Sequence, residues 1–149
     1  VIPERAVSAG SGRTYIWGKT LDLVKERAIL GYGSDSLMYN FPHYNIDARS
    51  SLWDENTIVD KPHSLYVGVL FGFGIFGLIA LVIIAAMTVF NTIKYIKLKS
   101  WEIFILGIAS VAYFTQALFN DSLPSVSSIA FVLIGLMFIK PSNKDSKEI

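Results

Sequence analysis

The sequence predicts an all-α chain built for a membrane, on three observations. From Ser64 to Ile93 no residue is charged. Two more apolar segments follow, each after a short polar connector. Charge is also unevenly spread: residues 1–63 hold seven Lys/Arg and eight Asp/Glu, whereas residues 64–149 hold six and four, nearly all in connectors and tail. The expected architecture is integral membrane helices preceded by a largely helical and irregular extracytoplasmic loop region, residues 1–63.

Within that region an amphipathic helix is expected over about 11–30. Ser11 is placed to cap it, and Gly31 is a fitting stop. Ile16, Trp17, Leu21, Val24 and Ala28 recur at helical spacing on one face, with Arg13, Lys19, Asp22, Lys25, Glu26 and Arg27 on the other sides. Two readings stay open: a helix lying on a membrane surface, or one packed on the rest of a domain. From Gly31 to Lys61 no period is sustained, and Gly31-Tyr32-Gly33, Phe41-Pro42 and the Asn and Asp residues point to an irregular loop. Its aromatics, Tyr39, Phe41, Tyr44 and Trp53, either stack on sugar rings or anchor the loop to a small core.

Residues 64–140 form the membrane region. The run from Ser64 exceeds one crossing, because a bilayer core of about 30 Å takes about 20 residues. Its first turns are therefore expected in the outer interface, with a bend in Gly68–Gly77 and a first span over about 74–95. Ser100 is placed to cap a second span over about 101–119, with Glu102 in its first turn and Trp101 at the interface. Pro124 suits the first turn of a third span over about 124–139. Residues 141–149 form a polar tail. Basic residues in short loops mark the cytoplasmic side. The 94–99 connector and the tail carry lysines and the 120–123 turn does not, so the connector and tail are expected inside and residues 1–63 outside. The first residues show no basic stretch followed by an apolar one. Helices preceding Val1 are therefore expected to carry residues 1–63 outward, making this the C-terminal piece of a larger multi-pass protein.

The net charge of +1 gives no case for nucleic-acid binding. The absence of cysteine rules out a disulfide framework, a thiolate nucleophile and a Cys-ligated zinc site. With only His43 and His63 as histidines and no Asp-x-Asp pair, neither a metal nor a cofactor is expected. Gly72-Phe73-Gly74-Ile75-Phe76-Gly77 has the letters of a dinucleotide fingerprint but lies in an apolar run, without the strand that motif needs. Close packing through Gly68 and Gly72, or a bend, accounts for it. Asn120-Asp121-Ser122 is a glycosylation sequon by letter only, too close to the membrane to be used. Asp60-Lys61-Pro62-His63 precedes the long apolar run. Pro62 favours a helix start, which would place His63 in its first turn. There the helix dipole disfavours imidazolium and helps keep the ring neutral, whereas a nearby Asp60 would act the other way and orient it. A lone histidine at such a place is either structural or the base of a site at the water–lipid boundary.

Ser11-Gly12-Arg13 with Trp17, then Gly31-Tyr32-Gly33, an irregular loop, Asp60-Lys61-Pro62-His63-Ser64-Leu65-Tyr66 and a glycine-rich entry into an apolar helix together resemble the O-antigen ligase and polymerase family. The ten residues between His63 and Gly74 are similar to the family's His-to-Gly spacing. Arg13 stands where the family places an arginine near the start of its large periplasmic loop. The pattern covers roughly Ser11 to Gly77. Ser64 stands where Asn is frequent, Trp17 where some members have Leu, and Phe73 where an acidic residue is frequent.

The resemblance implies a multi-pass glycosyltransferase of a bacterial cytoplasmic membrane. Its donor would be a glycan on an undecaprenyl diphosphate carrier, and its acceptor a glycan or glycolipid hydroxyl. Transfer would be metal-independent, with inversion at the anomeric carbon. His63 would be the general base and Arg13 would bind the donor diphosphate, with Asp60 and Lys61 in support and Gly74 as the motif glycine. The piece alone is expected to be inactive without the N-terminal transmembrane helices. Two other readings are a multi-pass transporter or flippase of lipid-linked sugars, with His63 structural, and a non-catalytic membrane remnant.

Overall fold

A computed structural model describes residues 12–43 and 58–139. The Ser11 cap, the aromatics Tyr44 and Trp53, and the tail lie outside these residues. Among the described residues every regular element is a helix: α1 (Arg13–Glu26), α2 (Leu37–Asn40), α3 (Leu65–Lys97), α4 (Trp101–Gln116) and α5 (Pro124–Met137). The protein is an all-α membrane protein. The chain forms two compact units, Val1–Val82 with Ala117–Ser122, and Ile83–Gln116 with Leu123–Ile149.

In the first unit α1 buries a narrower stripe than its apolar residues suggest. Ile16, Thr20 and Val24 face inward, one helical turn apart. The Thr20 hydroxyl donates to the Ile16 carbonyl at 2.7 Å, which satisfies it without a partner from another element. Leu21, expected on the buried face, is exposed. The stripe meets Leu37, Phe41, Val59 and Phe71 in one apolar cluster, flanked by Tyr15, Leu23, Tyr32 and Leu70. Of the two readings of this helix, the packed one describes its inner face. Phe41 serves the core, whereas Tyr39 is exposed.

Helix α1 ends at Glu26, four residues short of Leu30. Residues 28–30 turn away, and Gly31 N–H closes that turn on the Arg27 carbonyl at 2.9 Å. The turned segment has another use. Helix α3 is broken at Gly74, whose φ of 68° and ψ of −165° are open to glycine and little else. A break of this kind orphans the backbone groups on either side, which in an apolar setting must find partners. The segment after α1 supplies them. Tyr32 and Gly33 N–H donate to the Phe71 and Gly72 carbonyls, each at 2.9 Å, and Ile75 N–H donates to the Ala28 carbonyl at 2.8 Å. A Cβ on Gly31 would stand 2.6 Å from the Gly72 carbonyl, and one on Gly74 would strike the Ile29 carbonyl. Tyr32 closes the joint: its ring stacks on Phe71 at 4.9 Å and its hydroxyl donates to Glu26 at 2.9 Å. Burial first, and the Glu26 carboxylate second, push the Tyr32 phenol above its ordinary range.

In the second unit α4 and α5 pack on each other. The Tyr113 hydroxyl donates to Ser127 Oγ at 2.9 Å, and the Tyr113 ring meets Phe131 edge-on at 6.3 Å. Gly107 lets α4 approach α3 so closely that an added Cβ would collide with the Thr92 side chain. Thr88, Ser110 and Met137 are fully buried. The Thr88 and Ser110 hydroxyls donate to carbonyls one turn back, at 2.8 Å in each case. Small and self-satisfied polar residues are what tight helix contacts in lipid require. Meanwhile Phe90, Ile105, Ile129 and Val132 stand exposed. Helix α3 has 33 residues, long and apolar enough to cross a bilayer. Helices α4 and α5, of 16 and 14 residues, are apolar but shorter.

Candidate functional site

The site belongs to the first unit and is assembled where α3 begins. Helix α3 starts at Leu65, so His63 stands two residues before it and not in its first turn. The reason is local. Ser64 takes the capping position, its carbonyl accepting from Gly68 N–H at 2.9 Å and its hydroxyl facing Val67 N–H at 3.5 Å. His63 adopts a left-handed conformation, φ 54°, which turns the chain sharply between Pro62 and the cap. For a residue other than glycine that backbone is uncommon, although histidine enters it more readily than most.

The turn aims the imidazole at a residue distant in sequence. His63 Nδ1 lies 2.8 Å from Asp121 Oδ2. The two segments are also joined through backbone: Leu65 N–H donates to the Ala117 carbonyl at 2.9 Å and to the Asn120 carbonyl at 3.0 Å. The His63 side chain is 49% exposed, whereas that of Asp121 is only 16% exposed. An ionised carboxylate only accepts hydrogen bonds, so with neutral imidazole the proton sits on Nδ1 and Nε2 keeps its lone pair. The result is an oriented ring whose basic nitrogen has no partner among the described residues, anchored by a half-hidden acid. Asp60 is exposed and is not the residue that orients the ring. Among the described residues Asp60, Lys61 and Arg13 form no hydrogen bond or ion pair with His63.

Trp17 is the third member. Its indole N–H donates to the Pro62 carbonyl at 2.6 Å, and its ring stacks on Phe119 at 6.3 Å with the planes 29° apart. Arg13 is one helical turn before Trp17, on the same side of α1. It is half-buried, opens the helix after Gly12, and has no acidic residue beside it in that first turn. A cation at the positive end of a helix is held against the dipole. Nothing among the described residues neutralises this one. Lys61 is half-buried, two residues before His63. Gly74 lies at the break in α3, eleven residues after His63. Among the described residues no three His, Asp or Glu side chains converge as metal ligands.

Asp121 is the residue that sequence reasoning misses. It lies in a short turn between apolar segments, and its letters with Asn120 and Ser122 read as a sequon. The one available signal is that it is the only charged residue between Glu102 and Lys140, and an isolated acid in apolar surroundings marks function by default.

Fold and site together define a class: an all-α membrane protein that presents a carboxylate-oriented histidine at the start of a long apolar helix. Over residues 4–82, more than half its length, the chain matches the O-antigen ligase family, and it belongs to that family. No curated protein and no solved structure matches it. At family level the protein is an O-antigen ligase-like enzyme of the glycosyltransferase kind, associated with a membrane and acting on lipid-linked glycans.

Proposed function

We propose that this protein transfers or polymerises a glycan from an undecaprenyl diphosphate carrier onto an acceptor hydroxyl, without a metal ion, with His63 as general base. The observation that carries the reading is the 2.8 Å contact between His63 Nδ1 and Asp121 Oδ2. It fixes the tautomer in which Nε2 accepts a proton. The acceptor O–H gives its proton to Nε2 as its oxygen bonds to the anomeric carbon. The bond from that carbon to the phosphate oxygen breaks on the opposite face, and its electron pair leaves with the diphosphate. The anomeric centre inverts, and Asp121 stabilises the imidazolium until its proton passes to water. Arg13 binds the departing diphosphate, since a guanidinium fork matches two phosphate oxygens at once. Lys61, close by in sequence, adds positive charge.

The same reading sets a location. The protein is a multi-pass component of a bacterial cytoplasmic membrane. Residues 1–63 and the 120–123 turn face outward, and the 94–99 connector and the tail face inward. His63 and Asp121 then stand at the outer interface, where a carrier diphosphate emerges from lipid.

The test compares His63→Ala and His63→Gln across pH in the intact membrane-embedded protein, with His43→Ala as control. A base requires that both changes at position 63 abolish transfer while the control survives. It also requires that wild-type activity fall as acid protonates the ring. Substantial transfer by His63→Gln would mean that the site needs a hydrogen bond and not proton transfer, and the assignment would be withdrawn.

A further inference from the structure

The histidine and its carboxylate reach each other from separate segments of chain. One is the loop before α3 and the other the turn after α4, and each is held by main-chain hydrogen bonds at its base. A single side chain on a third element touches both segments. Trp17 of α1 holds the carbonyl of Pro62, the residue immediately before His63, through its indole N–H at 2.6 Å. Its ring lies on Phe119, two residues before Asp121. Trp17 is half-buried and reaches neither His63 nor Asp121 by a hydrogen bond among the described residues.

We infer that Trp17 is a positioning residue for transfer, clamping the His63 loop and the Asp121 turn into the register that makes the 2.8 Å contact. The inference rests on the His63–Asp121 reading above. Two features make a clamp necessary. His63 is in the left-handed region, a conformation that costs energy and persists only where surroundings enforce it. The Pro62 carbonyl is the first acceptor upstream of that strained residue, and fixing it fixes the peptide plane through which His63 φ is set. On the other side, Phe119 is 55% exposed, and the Trp17 ring is its one aromatic partner among the described residues. An indole supplies both contacts at once, because it is a donor at one edge and a broad apolar face elsewhere. Phenylalanine would keep the face and lose the donor, and leucine would lose both.

The experiment uses the full membrane-embedded protein and measures kcat and KM for Trp17→Phe, Trp17→Leu, Asp121→Asn, His63→Ala and the double variants Trp17→Phe/Asp121→Asn and Trp17→Leu/Asp121→Asn. Protein amounts in the membrane serve as the folding control. Trp17→Phe is expected to lose roughly three- to tenfold in kcat, the worth of one hydrogen bond. Trp17→Leu is expected to lose on the order of a hundredfold, as misplacing a catalytic group does. In both cases KM is unchanged. In the Asp121→Asn background either change at Trp17 costs little more, because the carboxylate whose placement it serves is already gone.

Losses that multiply across the double variants would show that Trp17 acts independently of the pair and would overturn the inference. So would a rise in KM at constant kcat, the mark of a sugar-binding aromatic, or unchanged kcat. If Trp17→Leu fails to accumulate, Trp17→Phe and its double variant decide alone. Silent His63→Ala and Asp121→Asn variants would instead sink the acid–base reading itself, which keeps the two failures apart.

Discussion

The N–H of Ile75 donates to the carbonyl of Ala28, 2.8 Å away, where a regular helix would have it donate to Phe71 one turn back. The Phe71 carbonyl, released from its own helix, accepts from Tyr32 instead. A bend in α3 is thus splinted by backbone from the segment after α1. Side-chain atoms would be in the way.

That arrangement makes glycine substitutions unequal. Gly74→Ala places a Cβ against the Ile29 carbonyl at a φ of 68°, and a loss of about 3 kcal/mol or more is expected. Gly31→Ala, with its Cβ 2.6 Å from the Gly72 backbone, is expected to behave alike. Gly18 is mid-helix in α1 with nothing within 4 Å of an added Cβ, so Gly18→Ala should stabilise by about 0.5–1 kcal/mol. Thermal unfolding of the three variants in one detergent checks the order. A Gly74→Ala protein as stable as wild type would show that the joint is not needed.

Arg13 is expected to matter through its fork of donors. Arg13→Lys keeps the charge but not the paired geometry, and transfer should fall at least about tenfold while the protein still reaches the membrane. An arginine that is merely a helix-surface charge would be replaced by lysine without effect. Initial rates with saturating acceptor and varied donor separate these outcomes.

The proposed orientation rests on where the lysines lie. Residues 1–149 hold no cysteine, so an introduced cysteine is the only thiol among them. Ser51→Cys and Ser122→Cys are expected to react with an impermeant thiol reagent in intact cells. Lys97→Cys and Ser142→Cys should react only after the membrane is opened. The reverse pattern would invert the topology.

The sequence made the helical class legible, because a long uncharged run and apolar segments with polar connectors leave few alternatives. It also pointed to a bend, because four glycines crowd residues 68–77. What it could not show is which backbone would serve the bend. The partners in residues 28–33 lie some forty residues upstream and act through main-chain atoms, which leave no side-chain signature. The site divides in the same way. His63 stood out as a lone histidine ahead of the apolar run, and its role and that of Arg13 came from the resemblance to the family. Asp121 did not stand out, because it meets His63 only after the chain has passed through α3 and α4. Proline before His63 suggested a helix start, and the actual start falls later because Ser64 is the better cap.

The first amides of α3 are already spoken for. Leu65 N–H is shared between two carbonyls of the Ala117–Ser122 segment, and Val67 N–H faces the Ser64 hydroxyl. A helix start of this kind does not offer the open cradle of amides by which many proteins hold phosphate. On the function proposed above, recognition of the departing diphosphate would fall to side chains rather than to fixed backbone dipoles. Arginine and lysine attract any polyanion of suitable size. Such an enzyme would tell its donors apart by the lipid and sugar on either side of the diphosphate, and free diphosphate would be a weak but general competitor.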